Sequence, residues 1–305
     1  MDNSLYLDPR NDLAFKKLFG DKEHKHITIE FLNAVFRLKG KDKIVDLTFL
    51  SPRQPAKVAA RKESHVDVLV RDEKGFRYII EMQSSKVPGF EKRAQYYAAK
   101  TYCSHFKQGD KYKELKKVIF LAIANYVVFP NKKGYKSDHI TVDKETHEND
   151  LKDFSFTFVE LPKFTKKLNE LKTIEEKWYY FLKHGESGKM ITSLAKEPIL
   201  KEAYDVLDRH NWTEEELEEY ERLVMSAADA EGVLEAAKEE GHQKGLQEGH
   251  QKGLQEGVQE GEKAKALEVA RGLLRLGMKQ ADICKVTGLS SKELLALRGS
   301  RGTRK

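Results

Sequence analysis

Apolar residues alternate with polar ones in two neighbouring runs, and these set the reading of the whole chain. In residues 61–70, Val66, Val68 and Val70 alternate with His65, Asp67 and Leu69, which predicts a strand with Asp67 facing away from the valine stripe. Residues 76–83, Phe-Arg-Tyr-Ile-Ile-Glu-Met-Gln, are β-branched and aromatic and predict a second strand. Between them Glu73-Lys74-Gly75 suits a three-residue hairpin loop with Gly75 in the left-handed position. That loop pairs Asp72 with Phe76. Counting outward in equal steps sets Asp67 opposite Glu81, with Gln83 two residues further on the same face. A slip of one residue would break the arrangement.

Helical spacing surrounds this hairpin. Asp8 as N-cap and Pro9 as first residue open a predicted helix with Leu13, Phe15, Leu18 and Phe19 on its apolar side and Asp12 near its first turn. A second helix is expected over residues 24–38, ended by Gly40, followed by a strand over 44–50. Pro88-Gly89 breaks the chain before a helix over 90–107 carrying Tyr97, Tyr102 and Phe106. Strands are expected over 118–126 and 154–161, with a polar excursion over 130–150 between them.

Past Lys189 only helical patterns occur. Gly241, Gly245, Gly249, Gly253, Gly257 and Gly261 recur every four residues. Each glycine inside a helix costs about 1 kcal/mol relative to alanine, and a period of four drifts around a helix of 3.6 residues per turn. Close helix–helix approach, hence oligomerisation, and a flexible spacer are both open readings. Residues 264–276 form an amphipathic pattern stopped by Gly277, then 279–286 ended by Gly288, then a capping box at Ser290-Ser291-Lys292-Glu293. This is a small helix-turn-helix pattern, read as a docking or dimerisation module with DNA contact as the second possibility. Four segments follow: 1–188, 189–240, 241–262 and 263–305.

Charge refines the division. Residues 213–240 hold eleven acidic and two basic residues, a net of −9, so the rest of the chain carries +15 against the overall +6. A basic body with an acidic connector suits a polyanion partner such as DNA, and equally suits simple solubility. Cys103 and Cys284 are far apart and suggest no disulfide framework, which fits a reducing cytoplasm. No signal-peptide pattern opens the chain, the longest apolar run (118–129) is too short for a bilayer, and mean hydropathy is −0.65. No membrane association is therefore expected.

The hairpin holds the candidate chemistry. Two carboxylates directly opposite on a sheet repel unless something positive lies between them. Mg²⁺ or Mn²⁺ would serve, since such cations prefer oxygen donors and use one or two carboxylates plus substrate phosphate. Asp67 as an exposed strand residue and Glu81 as an ion-pair partner is the other reading. His65 shares the predicted face of Asp67. Arg93 on the following helix is placed to reach either a phosphate or a carboxylate. No P-loop, GxSxG or HExxH pattern occurs, so reactions needing those motifs are disfavoured.

At these residues the chain resembles the PD-(D/E)XK nucleases, specifically the branch of recombination-promoting nucleases (Rpn) also labelled putative transposases. The resemblance rests on the Asp67…Glu81-x-Gln83 set, on Asp12-Leu13-Ala14-Phe15-Lys16-Lys17-Leu18-Phe19-Gly20, on Arg93-Ala94-Gln95-Tyr96-Tyr97, on Gly109-Asp110-Lys111-Tyr112-Lys113-Glu114-Leu115 and on the glycine-repeat tail. It implies an α/β, restriction-endonuclease-like αβββαβ core with a C-terminal all-helical extension. It also implies divalent-metal-dependent DNA endonuclease activity in recombination or mobile-element transfer. Asp67 and Glu81 would be metal ligands, Gln83 would position water, and Asp12 and Arg93 would support them. The superfamily usually has lysine where Gln83 stands; an amide can orient water but contributes no charge. The alternative is a nuclease-derived DNA-binding or assembly protein without cleavage.

Overall fold

The first helix begins where a side chain can satisfy its free N–H groups. Asn11 caps α1 (Asp12–Phe19), its Oδ1 accepting from Leu13 N at 2.9 Å. The expected start at Asp8 and Pro9 is therefore corrected. Asp8 instead holds the Arg10 guanidinium through both carboxylate oxygens, and Pro9 packs so closely on Gly185 that a Cβ there would lie 3.1 Å from its ring. The computed structural model describes residues 5–54, 64–104, 109, 111–187 and 194–299.

The second helix, α2 (Lys25–Val35), stops before the expected Gly40. Arg37 adopts the left-handed conformation at φ 53°, and Leu38 N returns to Asn33 O at 2.9 Å, closing the helix with a Schellman-type turn. The Asn33 side chain then clamps the backbone of Ile44 on both sides, so β1 is only Leu47–Phe49 rather than 44–50.

Strands β2 (Arg53–Gln54) and β3 (Ser64–His65) pair with each other as a separate ladder. The main sheet is built from β1, β4 (Val68–Asp72), β5 (Arg77–Gln83), β6 (Val118–Ala124), β7 (Lys136–Ile140) and β8 (Phe154–Glu160), in the order β1-β4-β5-β6-β8-β7. Helix α3 (Phe90–Ser104) connects β5 to β6, which run parallel. Of the helix expected over 90–107, Phe106 and Lys107 lie outside the described residues. From α2 through β1, β4, β5, α3 and β6 the chain traces the αβββαβ order. Strand β6 is buried at every position, as a parallel strand covered on both faces must be. Strand β7 falls inside the stretch read as a polar excursion; it is an edge strand with half-exposed residues, so it carries no apolar run.

Apolar side chains fill both faces of the sheet. On one, Val68, Val70, Ile80, Met82 and Leu121 meet Phe15, Phe19 and Phe31 of α1 and α2, with Trp178 from α4 (Ile174–His184) and Tyr204 from α5 (Pro198–Leu207). On the other, Leu69, Ile79, Phe120 and Phe158 meet Phe90, Ala94 and Ala98 of α3. Val66 belongs to this second cluster. The expected single stripe of Val66, Val68 and Val70 is thus broken between positions 66 and 68, where the strand itself is interrupted.

The chain divides into two compact units, Met1–Ser226 and Ala227–Lys305. A long helix, α6 (Glu214–Arg275), runs through the division and contains all six repeat glycines without a break, then ends at Gly277 with φ 78°. In the second unit α7 (Gln280–Thr287), Gly288 in the left-handed conformation and α8 (Ser291–Gly299) follow. Ser290 and Glu293 form the expected reciprocal cap. Ala270, Ile283, Leu289 and Leu294 make this unit's small core.

The hairpin turn closes as expected. Asp72 N donates to Phe76 O at 3.0 Å, and Gly75 has φ 87°. The buried Asp72 carboxylate accepts from Lys74 N, Phe76 N and the Tyr78 hydroxyl. Asp72→Ala strips all three donors of their partner. It should cost about 2 kcal/mol, measured as a lower midpoint in urea unfolding, and loosen the register that sets the strand ends.

Candidate active site

The register of β4 and β5 decides which side chains meet. Val68 pairs with Ile80 and Leu69 with Ile79, so the next step outward sets Asp67 against Glu81, as the turn arithmetic expects. Their backbones do not complete the ladder there. Asp67 N donates to Glu81 Oε1 at 3.1 Å, and Met82 N donates to Asp67 Oδ2 at 2.8 Å. Each carboxylate takes a backbone N–H from the opposite strand, which is why the strand is broken beside Asp67. Nothing in the alternation of residues 61–70 signals this exchange.

Gln83, two residues beyond Glu81, shares its face. Its Nε2 donates to Glu81 Oε2 at 3.3 Å and to Met82 O at 3.1 Å, while its Oε1 accepts from Arg93 Nη2 at 2.5 Å. The Met82 carbonyl, a possible extra donor atom to a cation, is thus engaged by Gln83. Arg93 rises from the first turns of α3, above the rings of Phe90 and Tyr97 at 5.1 and 6.0 Å. It reaches Gln83 rather than a carboxylate. Its Nε is buried without a hydrogen-bond partner.

Asp12 and Lys16 approach from α1. They pair with each other at 2.7 Å and are both well exposed. The Ser84 hydroxyl, next after Gln83, donates to Arg10 O at 2.9 Å and ties the start of α1 to the end of β5. Asp12 is therefore a neighbour whose charge reaches Asp67, not a residue that touches it. His65 is exposed on the separate β2–β3 ladder, opposite Arg53.

Glu81 is 2% exposed, so its charge is costly. Burial raises its pKa most, and the Asp67 charge raises it further; the Asp67 N–H, Arg93 and Lys16 oppose this. Burial also raises Asp67 most, with a further push from Asp12, against the Met82 N–H, Lys16 and Arg93. Lys16 and Arg93, whose charges reach both carboxylates, are occupied elsewhere, Lys16 on Asp12 and Arg93 on Gln83.

Among the described residues, no three His, Cys, Asp or Glu side chains converge as a metal cluster. The pair still fits a hard divalent cation. It offers two oxygen donors with negative charge to be offset, and magnesium sites complete their shell with water and phosphate. Lys16 and the unpartnered Arg93 Nε were missed as contributors. The four-residue spacing of Asp12 and Lys16 was the available signal for the first; no sequence signal marks the second.

Comparison with known proteins places these observations in a family. A family model described as "PD-(D/E)XK nuclease family transposase" matches residues 9–237, about three quarters of the chain. A second, described as "Rpn/YhgA-like nuclease family, C-terminal HTH domain", matches residues 263–299, the region of α7 and α8. No curated protein and no solved structure matches the chain. With its sheet and strand-end carboxylates inside the first match and its short terminal helices inside the second, the chain belongs to the PD-(D/E)XK nuclease family of transposases, in the Rpn branch.

Proposed function

We propose that this protein is a divalent-metal-dependent DNA endonuclease acting in recombination or mobile-element transfer. The observation that carries the reading is the interlocked pair of half-buried Asp67 and buried Glu81, to which no cation among the described residues is bound. Family membership supports phosphodiester chemistry, and the helix-turn-helix match supports DNA as partner. Among the described residues no helix is long and apolar enough to cross a membrane. Cys103 and Cys284 are free thiols, in keeping with a reducing cytoplasm.

Asp67 and Glu81 would hold Mg²⁺ or Mn²⁺. The cation supplies Lewis acidity toward a phosphate oxygen and toward a nucleophilic water. The residues do the positioning. Gln83 presents its N–H₂ end beside Glu81, where, in exchange for its contact to Glu81, it would donate to the attacking water or to a phosphate oxygen. In hydrolysis the water oxygen bonds to phosphorus, one bridging P–O bond breaks and its oxygen leaves as a hydroxyl by taking a proton from solvent, while the water proton passes to solvent or a carboxylate. Asp12 adds negative charge beside Asp67, and Lys16 adds positive charge that reaches both ligands.

The neutral Gln83 favours a second reading, a DNA-binding protein of nuclease descent that no longer cuts. Plasmid nicking by the full chain with Mg²⁺ or Mn²⁺ separates the two. Asp67→Ala and Glu81→Ala should each lower the rate by at least about 100-fold, and a chelator should abolish it. DNA retention without metal-dependent nicking would establish the second reading.

Protons and the cation compete for the pair. Both carboxyls have raised folded-state pKa values, so the folded state binds protons more tightly than the unfolded chain. Their contribution is therefore present below about pH 4, the unfolded carboxylate range, and is lost as pH rises through the raised folded values. In chelator, Glu81→Gln should melt about 2–4 °C above wild type near pH 8, corresponding to roughly 1 kcal/mol, and the gap should close near pH 4. Magnesium should raise the wild-type midpoint and leave the variant unmoved.

Self-association through the C-terminal helix belongs to the same proposal. The repeat glycines of α6 meet nothing within 4 Å at a Cβ position, and Leu246, Leu254 and Val258 are exposed. Sedimentation of the full chain should show a concentration-dependent dimer or larger species. Replacing the six repeat glycines with lysine should leave a monomer.

A further inference from the structure

Gln83 has the right shape for its place but no charge, and its surroundings compensate. Its amide has two distinguishable ends, and three contacts agree on which way it faces. Arg93 Nη2 donates to Oε1, while Nε2 donates to Glu81 Oε2 and to Met82 O. Turning the amide over would set Oε1 against a carboxylate and a carbonyl, and Nε2 against a guanidinium. We infer that Arg93 is a positioning residue: its guanidinium locks and polarises the Gln83 amide so that the N–H₂ end faces the Asp67–Glu81 pair.

The side chain is built for that reach. Phe90 and Tyr97, three residues before and four after Arg93, lie on its side of α3 and flank the guanidinium. The α3 backbone is anchored behind Gly89, with Arg93 N donating to Gly89 O at 3.0 Å. An arginine serving the fold alone would be expected to satisfy its buried donors, yet Arg93 Nε has no partner. Nor does Arg93 neutralise Glu81 directly, as an ordinary buried ion pair would. Its charge is transmitted through the Gln83 amide, since hydrogen bonds in series polarise one another. An amide with a guanidinium on its oxygen is a stronger donor than a free one. The pair Arg93–Gln83 thereby presents a partly positive donor where a neutral residue alone would present a weak one.

This inference rests on the nuclease reading for its kinetic consequence but not for its geometry, and the test uses both. In single-turnover nicking by the full chain with Mn²⁺, Arg93→Gln and Gln83→Ala should each slow cleavage about 100-fold, with DNA affinity unchanged. The double variant should be no slower than the slower single one. Gln83→Lys, which carries its own charge, should restore the Arg93→Gln protein to within about tenfold of wild type. Arg93→Lys retains charge and one donor and should lie between, with thermal melts checking that each variant folds. Additive losses, weakened DNA binding at unchanged rate, or no rescue by lysine would overturn the inference. If the wild type cuts no DNA, the nuclease reading fails and nuclear magnetic resonance decides the geometry. A Gln83 side-chain N–H₂ pair protected from exchange in the wild type and freely exchanging in Arg93→Gln supports the inference. Identical protection in both overturns it.

Discussion

Two carboxylates set against each other at the end of a strand pair, Glu81 buried and Asp67 half-buried, are the constraint on which the rest of the first unit depends. Their separation is not left to flexible side chains. One oxygen of each carboxylate is fixed by a backbone N–H of the facing strand, which ties the pair to the hairpin that carries it. That hairpin is in turn set by its three-residue loop and by the Asp72 carboxylate beneath it. The helices contribute what the hairpin lacks. Helix α1 packs on one face of the sheet and α3 on the other, and a cation from each, Lys16 and Arg93, is felt at both carboxylates. The strand end is thus the meeting point of both layers. An acidic pair so placed is a liability for folding alone, which is what supports the proposed cation site.

What was legible in the sequence is what local chemistry dictates. Gly75 can hold a left-handed conformation, a three-residue loop follows, and the register of Asp67 and Glu81 is then arithmetic. The αβββαβ order was implied by the family resemblance, while the residues themselves marked a buried strand over 118–126 and, at Pro88-Gly89, the entry to α3. What was not legible depends on contacts made at long range. Asp8 and Asn11 are both competent N-caps; Pro9 against Gly185 and Asp8 on Arg10 leave the role to Asn11. The valine stripe broke because the Asp67 carboxylate and backbone replace two ladder bonds, a choice that exists only once Glu81 is opposite. Strand β7 was hidden because an edge strand needs no apolar alternation.

The Gln83 amide illustrates how a residue type underdetermines its role. As a letter in the sequence it offers a donor and an acceptor with equal weight. In the fold the acceptor is taken by Arg93 and the N–H₂ end is turned to Glu81 and the Met82 carbonyl, so a substrate could meet only a donor, in exchange for one of those two contacts. Of the two partners expected for Arg93, a phosphate or a carboxylate, the carboxylate is replaced in the fold by the Gln83 oxygen. The chain of contacts runs guanidinium, amide, carboxylate, so Arg93 itself makes no ion pair with Glu81, and in the proposed nuclease the Glu81 charge is left for a divalent cation to offset.

The tail obeys a different balance. Tyr220 is buried near one end of α6 and Ala270 near the other, and these packed sites hold a helix whose middle is exposed on every side. Six glycines in that middle cost about 6 kcal/mol relative to alanine. The side-chain pairs available to it, such as Lys252 with Glu256 at 3.9 Å, return only tenths of a kcal/mol each. The glycines therefore do nothing for the helix taken alone, and an alanine at each position would meet no obstacle within the chain. In the proposed self-association their use is to permit the approach of another backbone to within a distance that a Cβ would forbid. On that proposal a polar helix gains from a neighbour what it forgoes in itself, which makes its length and its glycines parts of one device.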